Sequence, residues 1–72
     1  MNLKPVVSSN ITHIGYDPAT KELGVKFKSG KLYKYHPVTL EDYTELINAD
    51  SIGGYFANHI KNKEGISYER ID

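Results

Sequence analysis

The residues best suited to chemistry in this chain are tyrosines and lysines that alternate near its middle. Tyr33-Lys34-Tyr35 lies close in sequence to further cationic side chains, namely Lys26, Lys28, Lys31 and His36. Aromatic rings stack on nucleobases and lysine ammonium groups contact phosphates, a combination found in proteins that bind single-stranded nucleic acids. The pattern predicts a nucleic-acid-binding surface made of these residues, with RNA or single-stranded DNA as the ligand.

A purely structural interpretation of the tyrosines competes with this one. Tyr33 and Tyr35 would then be half-buried core residues whose hydroxyl groups reach water. In that case the opposite face of their strand still carries Lys26, Lys34 and His36, which would contact phosphates without reading bases. The sequence leaves both interpretations open.

Residues for other chemistries lack the necessary spacing. His13, His36 and His59 are far apart and form no helical pair with another ligand, so we expect no metal site and no cofactor. The chain has no cysteine, which excludes a disulfide and a cysteine nucleophile. No serine stands in a nucleophile-elbow motif, and Glu41 and Asp42 fit the first turn of a helix. We therefore expect a protein that is not an enzyme.

Length and composition indicate one small globular domain. The chain has 72 residues, of which 39% are hydrophobic and 25% charged. Its net charge of zero argues against phosphate binding unless charges are clustered locally. They are clustered: residues 21–36 contain five lysines and one glutamate, whereas residues 37–60 contain acidic residues and no lysine or arginine.

The amino terminus has no apolar run of the kind that a signal peptide requires, and no stretch approaches the roughly 20 apolar residues of a membrane span. We expect a cytoplasmic protein without a membrane partner. Residues 1–7 are predicted to be a flexible extension, and residues 8–72 to form the single domain.

Hydrophobic periodicity predicts three strands. Ile11, Ile14 and Tyr16 indicate a first strand that ends near Tyr16, before a turn that contains Pro18. The second strand shows the clearest alternation of apolar and polar residues, and an aromatic-rich third strand follows it. The apolar positions of these two strands are Leu23, Val25, Phe27, Tyr33 and Tyr35.

The register of the hairpin between the second and third strands decides which way the tyrosines point. A two-residue turn at Ser29-Gly30 would place Tyr33 and Tyr35 on the lysine side. A three-residue loop, Lys28-Ser29-Gly30, with Gly30 in the left-handed conformation, would pair Val25 with Tyr33 and gather the five apolar positions named above on one face. We favour the second register for that reason.

Two helices are predicted to follow the strands. Thr39 is suited to cap a helix that begins at Leu40, and Asp50-Ser51 to cap a second helix that ends around Asn62. Each helix has one apolar stripe, made of Leu40, Tyr43, Leu46 and Ile47 in the first and of Ile52, Tyr55, Phe56 and Ile60 in the second.

The predicted fold is α+β, a three-stranded antiparallel meander with two helices packed on one face in two layers. A short extended piece, residues 68–71, is placed to lie back against the sheet.

A series of small motifs resembles the KTSC domain. These motifs are Ser8-Ser9-Asn10-Ile11, Ile14-Gly15-Tyr16-Asp17, Leu23-x-Val25-x-Phe27, Gly30, Tyr33-Lys34-Tyr35, Asn48-Ala49-Asp50-Ser51, Gly54-Tyr55-Phe56 and Tyr68-Glu69-Arg70-Ile71. The resemblance extends from about Ser8 to Ile71. It implies a small domain that also occurs at the carboxyl end of some lysyl-tRNA synthetases and as free-standing proteins in bacteria and phages, with RNA binding as its suggested function. The chain lacks a synthetase catalytic region, so the resemblance does not imply ligase activity.

A second function is consistent with the same sequence. The segregation of charge and the exposed edges of a small sheet also suit a protein-interaction or self-association module. The chain is then expected to be a monomer or a weak homo-oligomer.

Overall fold

The computed structural model describes the whole chain, Met1–Asp72, as an α+β fold. Its strands are β1 (Lys4–Pro5), β2 (Ile11–Asp17), β3 (Glu22–Phe27), β4 (Leu32–His36) and β5 (Ser67–Arg70). Its helices are α1 (Leu40–Ile47) and α2 (Ile52–His59), both between β4 and β5. The strands form one five-stranded sheet in the order β1-β2-β3-β4-β5, and every neighbouring pair is antiparallel.

The predicted meander is the centre of this sheet, and the favoured hairpin register is confirmed. Val25 lies opposite Tyr33, and Leu23 lies opposite Tyr35. Gly30 has a φ of 91°, a left-handed conformation that glycine adopts without steric cost. Because the loop has three residues, the predicted apolar residues of β3 and β4 share the face that the helices cover, whereas Leu32 lies opposite Lys26 on the outer face.

The sheet has one strand more at each edge than the sequence predicts. At one edge, β5 continues the meander, with Tyr68 opposite Tyr35 and Arg70 opposite Tyr33. This strand includes most of the extended piece that was predicted after α2. The fold class is therefore as expected, but the sheet has five strands instead of three.

The other additional strand lies in residues 1–7, which were expected to be a flexible extension. Lys4 pairs with Ile14 and Pro5 with His13, so this segment forms an edge strand. The preceding residues lie over Gly15 and Gly24, which face each other in β2 and β3. The two glycines leave a flat area of backbone because they have no side chains, and the segment Met1–Leu3 fills it. We call this segment the N-terminal strap.

Both helices begin at the predicted caps. The Thr39 hydroxyl accepts a hydrogen bond from the Asp42 N–H at 3.1 Å, and the Ser51 hydroxyl accepts one from the Gly54 N–H at 3.1 Å. The second helix ends at His59, earlier than the predicted Asn62. At eight residues each, the helices are too short to cross a lipid bilayer.

The core lies between the sheet and the helices. Its buried residues come from the strands, from both helices and from the segments that flank them: Ile11, Ile14, Leu23, Val25, Tyr35, Val38, Leu46, Phe56 and Ile60. Tyr16 stacks on Tyr43 with ring centroids 4.4 Å apart, and its hydroxyl donates a hydrogen bond to the Val38 carbonyl. Of the residues in the predicted stripe of α1, Leu46 is fully buried, whereas Leu40 and Ile47 are exposed. Fewer apolar residues of α1 therefore pack against the core than the sequence predicts.

Candidate nucleic-acid interface

The structure divides the predicted site residues among three places. Tyr33 and Tyr35 lie on the helix side of β4, whereas Lys34 and His36 alternate with them on the outer face of the sheet. Lys26 also lies on the outer face, in β3. Lys28 lies in the hairpin loop and Lys31 directly follows it, and both are exposed. The tyrosines and the outer-face lysines therefore cannot contact the same nucleotide.

On the helix side, a groove runs between β4, β5 and the residues after α2. We call it the aromatic groove, and it has a volume of 290 Å³. Its walls are formed by the rings of the sheet and by two polar side chains that follow the second helix: Phe27, Tyr33, Tyr35, Tyr68, Lys61 and Asn62. The combination of several rings with one lysine resembles the composition of sites that bind single-stranded nucleic acids.

Tyr35 forms the buried floor of the groove. Its ring is 5.1 Å from that of Phe56 in an edge-to-face arrangement, and the residue is 4% exposed. Burial raises the pKa of its hydroxyl to about 12, with smaller contributions from Tyr33 and Tyr68. Tyr35 therefore acts mainly as a core residue, in agreement with the structural interpretation of this tyrosine.

Tyr68 is the exposed wall of the groove. The residue is 65% exposed, and its ring centroid lies 6.0 Å from that of Tyr33 and 5.8 Å from that of Tyr35. Tyr33 is partly buried and meets Phe27 edge-to-face at 6.0 Å. The exposed ring surface of the groove thus comes mainly from Tyr68, with a part from Tyr33.

Two cations, Lys61 and Arg70, lie beside the aromatic groove. Lys61 lines the groove directly. Arg70 lies opposite Tyr33, on the same face, and its guanidinium donates a hydrogen bond to Asp72 at 2.8 Å. That contact raises the pKa of Arg70, and a guanidinium is charged at neutral pH in any case. The charge of Arg70 is partly compensated by Asp72, whereas Lys61 forms no ion pair with a carboxylate.

The outer face differs from the cationic surface that the sequence predicts. The Lys34 ammonium lies 3.0 Å from a Glu69 carboxylate oxygen and 3.1 Å from one of Glu22, so it connects three neighbouring strands. Hydrogen bonds to Glu69 and Glu22 raise the pKa of Lys34, and the bond from Lys34 lowers the pKa of Glu22. A cleft of 290 Å³ opens beside this cluster, and it is lined by the three charged residues together with His36, Ser67 and Tyr68. Lys34 is thus neutralised by two carboxylates and offers little attraction for a phosphate.

The remaining histidines have structural contacts. The Nδ1 atom of His13 is 3.0 Å from the Thr12 hydroxyl, and His13 lies opposite Lys26. His59 packs against Tyr55 with ring centroids 4.4 Å apart. The structure brings no three histidine, aspartate or glutamate side chains into a cluster that would hold a metal ion.

Several residues of the aromatic groove were not among the predicted site residues. These are Phe27, Tyr68, Lys61 and Asn62. The alternation of Tyr68 and Arg70 with Ser67 and Glu69 was a usable signal, because it places the first two on one face of a strand. No local signal identifies Lys61 and Asn62, since they reach the groove only through the path of the chain after α2.

Comparison with known proteins identifies the family of this chain. Residues 7–63 match the KTSC domain family model. The chain belongs to the KTSC family. A crystal structure of a KTSC domain protein from Yersinia pestis has the same fold, with a TM-score of 0.92 and 32% sequence identity, and the match covers 99% of this chain and 97% of that one.

Other KTSC relatives are of two kinds. An uncharacterized protein from Stutzerimonas stutzeri is 42% identical over 90% of both chains. A lysine–tRNA ligase from Nostoc is 41% identical over 96% of this chain, but the matching region is only 12% of the ligase. The KTSC domain therefore occurs both in proteins of this size and as a small part of a much larger enzyme.

Proposed function

We propose that this KTSC protein is a non-catalytic cytoplasmic module that binds single-stranded nucleic acid in the aromatic groove. The observation that carries the proposal is the exposed ring of Tyr68 beside Tyr33 and Tyr35, with Lys61 at the rim. An exposed ring that continues a groove of further rings forms a contiguous apolar patch, and such patches mark ligand-binding grooves. Nucleobases fit this surface because each has an aromatic face, and stacking stabilises binding by about 1 to 3 kcal/mol per base.

We expect the phosphates of the ligand to lie near the same groove, because cationic side chains surround it. Lys61 and Arg70 lie on its side of the sheet. Lys31 is two residues before Tyr33, so the alternation of the strand directs it to that side as well. Because Lys34 is held by two carboxylates, we assign the main phosphate contacts to Lys61 and Lys31 instead of the outer-face lysines.

The relatives favour RNA as the ligand. Two lysine–tRNA ligases, from Nostoc and from Trichormus variabilis, contain a region that matches 96% of this chain. Their name connects a protein that carries this region with tRNA. We therefore expect single-stranded RNA to bind at least as tightly as single-stranded DNA.

Fluorescence anisotropy with labelled single-stranded RNA and DNA tests this function. At low salt, we expect measurable affinity that falls as salt is raised, because binding releases counterions. Tyr68→Ala should weaken binding roughly tenfold through loss of stacking, whereas Tyr68→Phe keeps the ring and should bind like the unmodified protein.

A charge-reversal pair provides the matched control. Lys61→Glu, at the groove, should weaken binding strongly, whereas Lys26→Glu, on the outer face, should have a much smaller effect. If the protein has no affinity at low salt, or if Lys26→Glu is the more damaging change, the aromatic groove is not the nucleic-acid site.

The alternative function, binding of a protein partner or of a second copy, has support of its own. The outer edge of β5 faces solvent along its full length, because this strand pairs only with β4. Exposed strand edges of this kind pair with other chains.

A further inference from the structure

The two edges of the sheet differ in their ability to pair with another strand. At the first edge, the Val6 N–H donates to the Thr12 carbonyl at 3.0 Å, so the backbone of Val6 points into the sheet. Successive residues of an edge strand point alternately inward and outward, which turns the backbone of Pro5 toward solvent. Proline has no N–H, so this edge lacks a donor at the position where a new strand would need one.

The edge at β5 is open. The Ile71 N–H donates to the Leu32 carbonyl at 2.9 Å, which directs the backbone of Ile71 toward β4. By the same alternation, Ser67 and Glu69 also point inward, and Tyr68 and Arg70 present their N–H and carbonyl groups to solvent. Each of these two residues offers both a donor and an acceptor.

We propose that the β5 edge pairs with the β5 edge of a second copy of this chain. The pairing is antiparallel about a two-fold axis perpendicular to the sheet, with Tyr68 opposite Tyr68 of the second copy. Each Tyr68 then exchanges two backbone hydrogen bonds with its counterpart. The two rings lie side by side on the helix side, an aromatic cross-strand pair of the kind that stabilises sheets.

Repulsion between Glu69 side chains favours the register centred on Tyr68 over the register centred on Glu69. Pairing centred on Tyr68 places Ser67 opposite Glu69 of the second copy, on the outer face. A shift that centres the pairing on Glu69 would place the two Glu69 carboxylates directly opposite each other, and like charges in that position are destabilising. A shift by one residue would place side chains from opposite faces against each other. The centre at Tyr68 is therefore the favoured register.

The geometry also limits the assembly to two copies. The same patch is used by both, so the interface is closed by its symmetry. The proline at the β1 edge disfavours further growth of the sheet in the other direction. In the dimer, both helix layers lie on one side of a continuous sheet, and the two aromatic grooves become neighbours.

Ser67 provides the test, because it faces Glu69 of the second copy and does not line the aromatic groove. The experiment is sedimentation equilibrium of the full chain over a range of concentrations. Two Ser67–Glu69 contacts form in each dimer, so Ser67→Lys should raise the association constant by about fivefold and Ser67→Glu should lower it by a similar factor. Added salt should reduce both effects.

Glu69→Gln is the control for the register. If β5 pairs with its centre at Glu69, this variant strengthens association and the two Ser67 variants behave alike, which would overturn the proposed register. A chain that stays monomeric at every concentration, including as Ser67→Lys, would overturn the proposed dimer. Circular dichroism of each variant confirms that the fold is retained. None of these outcomes depends on nucleic-acid binding.

Discussion

At the scale of single residues, two tyrosines that face each other across β4 and β5 have different roles. Tyr35 is 4% exposed and packs against Phe56, whereas its neighbour Tyr68 is 65% exposed. The difference arises because the helices cover β4 but do not extend over β5. Tyr35 thus contributes mainly to stability, and Tyr68 remains available for a ligand or a second copy.

Truncation of the Tyr35 side chain should destabilise the protein. We expect Tyr35→Ala to lower the free energy of unfolding by about 3 kcal/mol, because it leaves a cavity next to Phe56. Tyr35→Phe keeps the ring and should cost less than about 1 kcal/mol. Urea denaturation measures both. Equal effects of the two variants would show that the hydroxyl, and not the ring, is the stabilising group.

At the scale of elements, the N-terminal strap covers the part of the outer face formed by Gly15 and Gly24. The alternation of apolar and polar residues in the strands does not predict this contact. A Cβ atom at Gly15 would lie 2.7 Å from the Asn2 carbonyl oxygen, a backbone atom. At Gly24, the nearest atom would be Met1 Sδ at 2.6 Å, near the end of a flexible side chain. A side chain at Gly15 is therefore less well tolerated than one at Gly24.

Alanine substitutions separate these two positions. We expect Gly15→Ala to destabilise the full chain by about 1 to 2 kcal/mol, because the Asn2 backbone must move. Gly24→Ala should cost less, since Met1 can rotate away. In a chain that lacks residues 1–3, Gly15→Ala should instead stabilise by about 0.5 kcal/mol, as alanine restricts the unfolded chain more than glycine does. Thermal unfolding of the variants in both backgrounds measures the effects. A cost that persists after truncation would show that the strap is not its cause.

At the scale of the whole molecule, the charged side chains sum to a net charge of zero, and several of them are held in specific ion pairs. Lys34 joins the strands through Glu22 and Glu69, Lys63 binds Asp42 of the first helix at 2.8 Å, and Arg70 binds Asp72. Of these cations, Lys34 is the one that the sequence predicts for ligand binding, and Arg70 is the one that lies opposite Tyr33 beside the aromatic groove. The positive charge at the aromatic groove is consequently modest.

The same ion pairs predict how stability depends on pH. Hydrogen bonds from Lys34 and Arg70 lower the pKa of Glu22 and Asp72 below their ordinary values of 4.5 and 3.8. A lowered pKa in the folded state stabilises the protein above the ordinary value, and this stabilisation is lost as pH falls through the lowered one. We therefore expect the free energy of unfolding to decrease below about pH 4.5. Urea titrations at a series of pH values measure it.

Lys34→Met is the control for this pH dependence. The variant removes the cation that lowers the pKa of Glu22, so its stability should vary less with pH in the acid range. An unchanged acid dependence would show that the Lys34 cluster does not contribute to it.

The sequence by itself determined the parts of the fold that depend on neighbours along the chain. Alternation in β3 and β4 and the left-handed position of Gly30 set the hairpin register, and the hydroxyls of Thr39 and Ser51 set the starts of the helices. These features are predictable because strand periodicity, turn geometry and capping act over only a few residues.

Only the tertiary structure decided which side chains are free to bind. The neutralisation of Lys34 needs Glu69 from the distant β5, the aromatic groove needs Lys61 from beyond α2, and the strap needs two facing glycines. Each depends on where the folded chain returns to the sheet. No local sequence pattern predicts where the chain returns, because contacts between residues that are remote in sequence form only when the whole chain has packed.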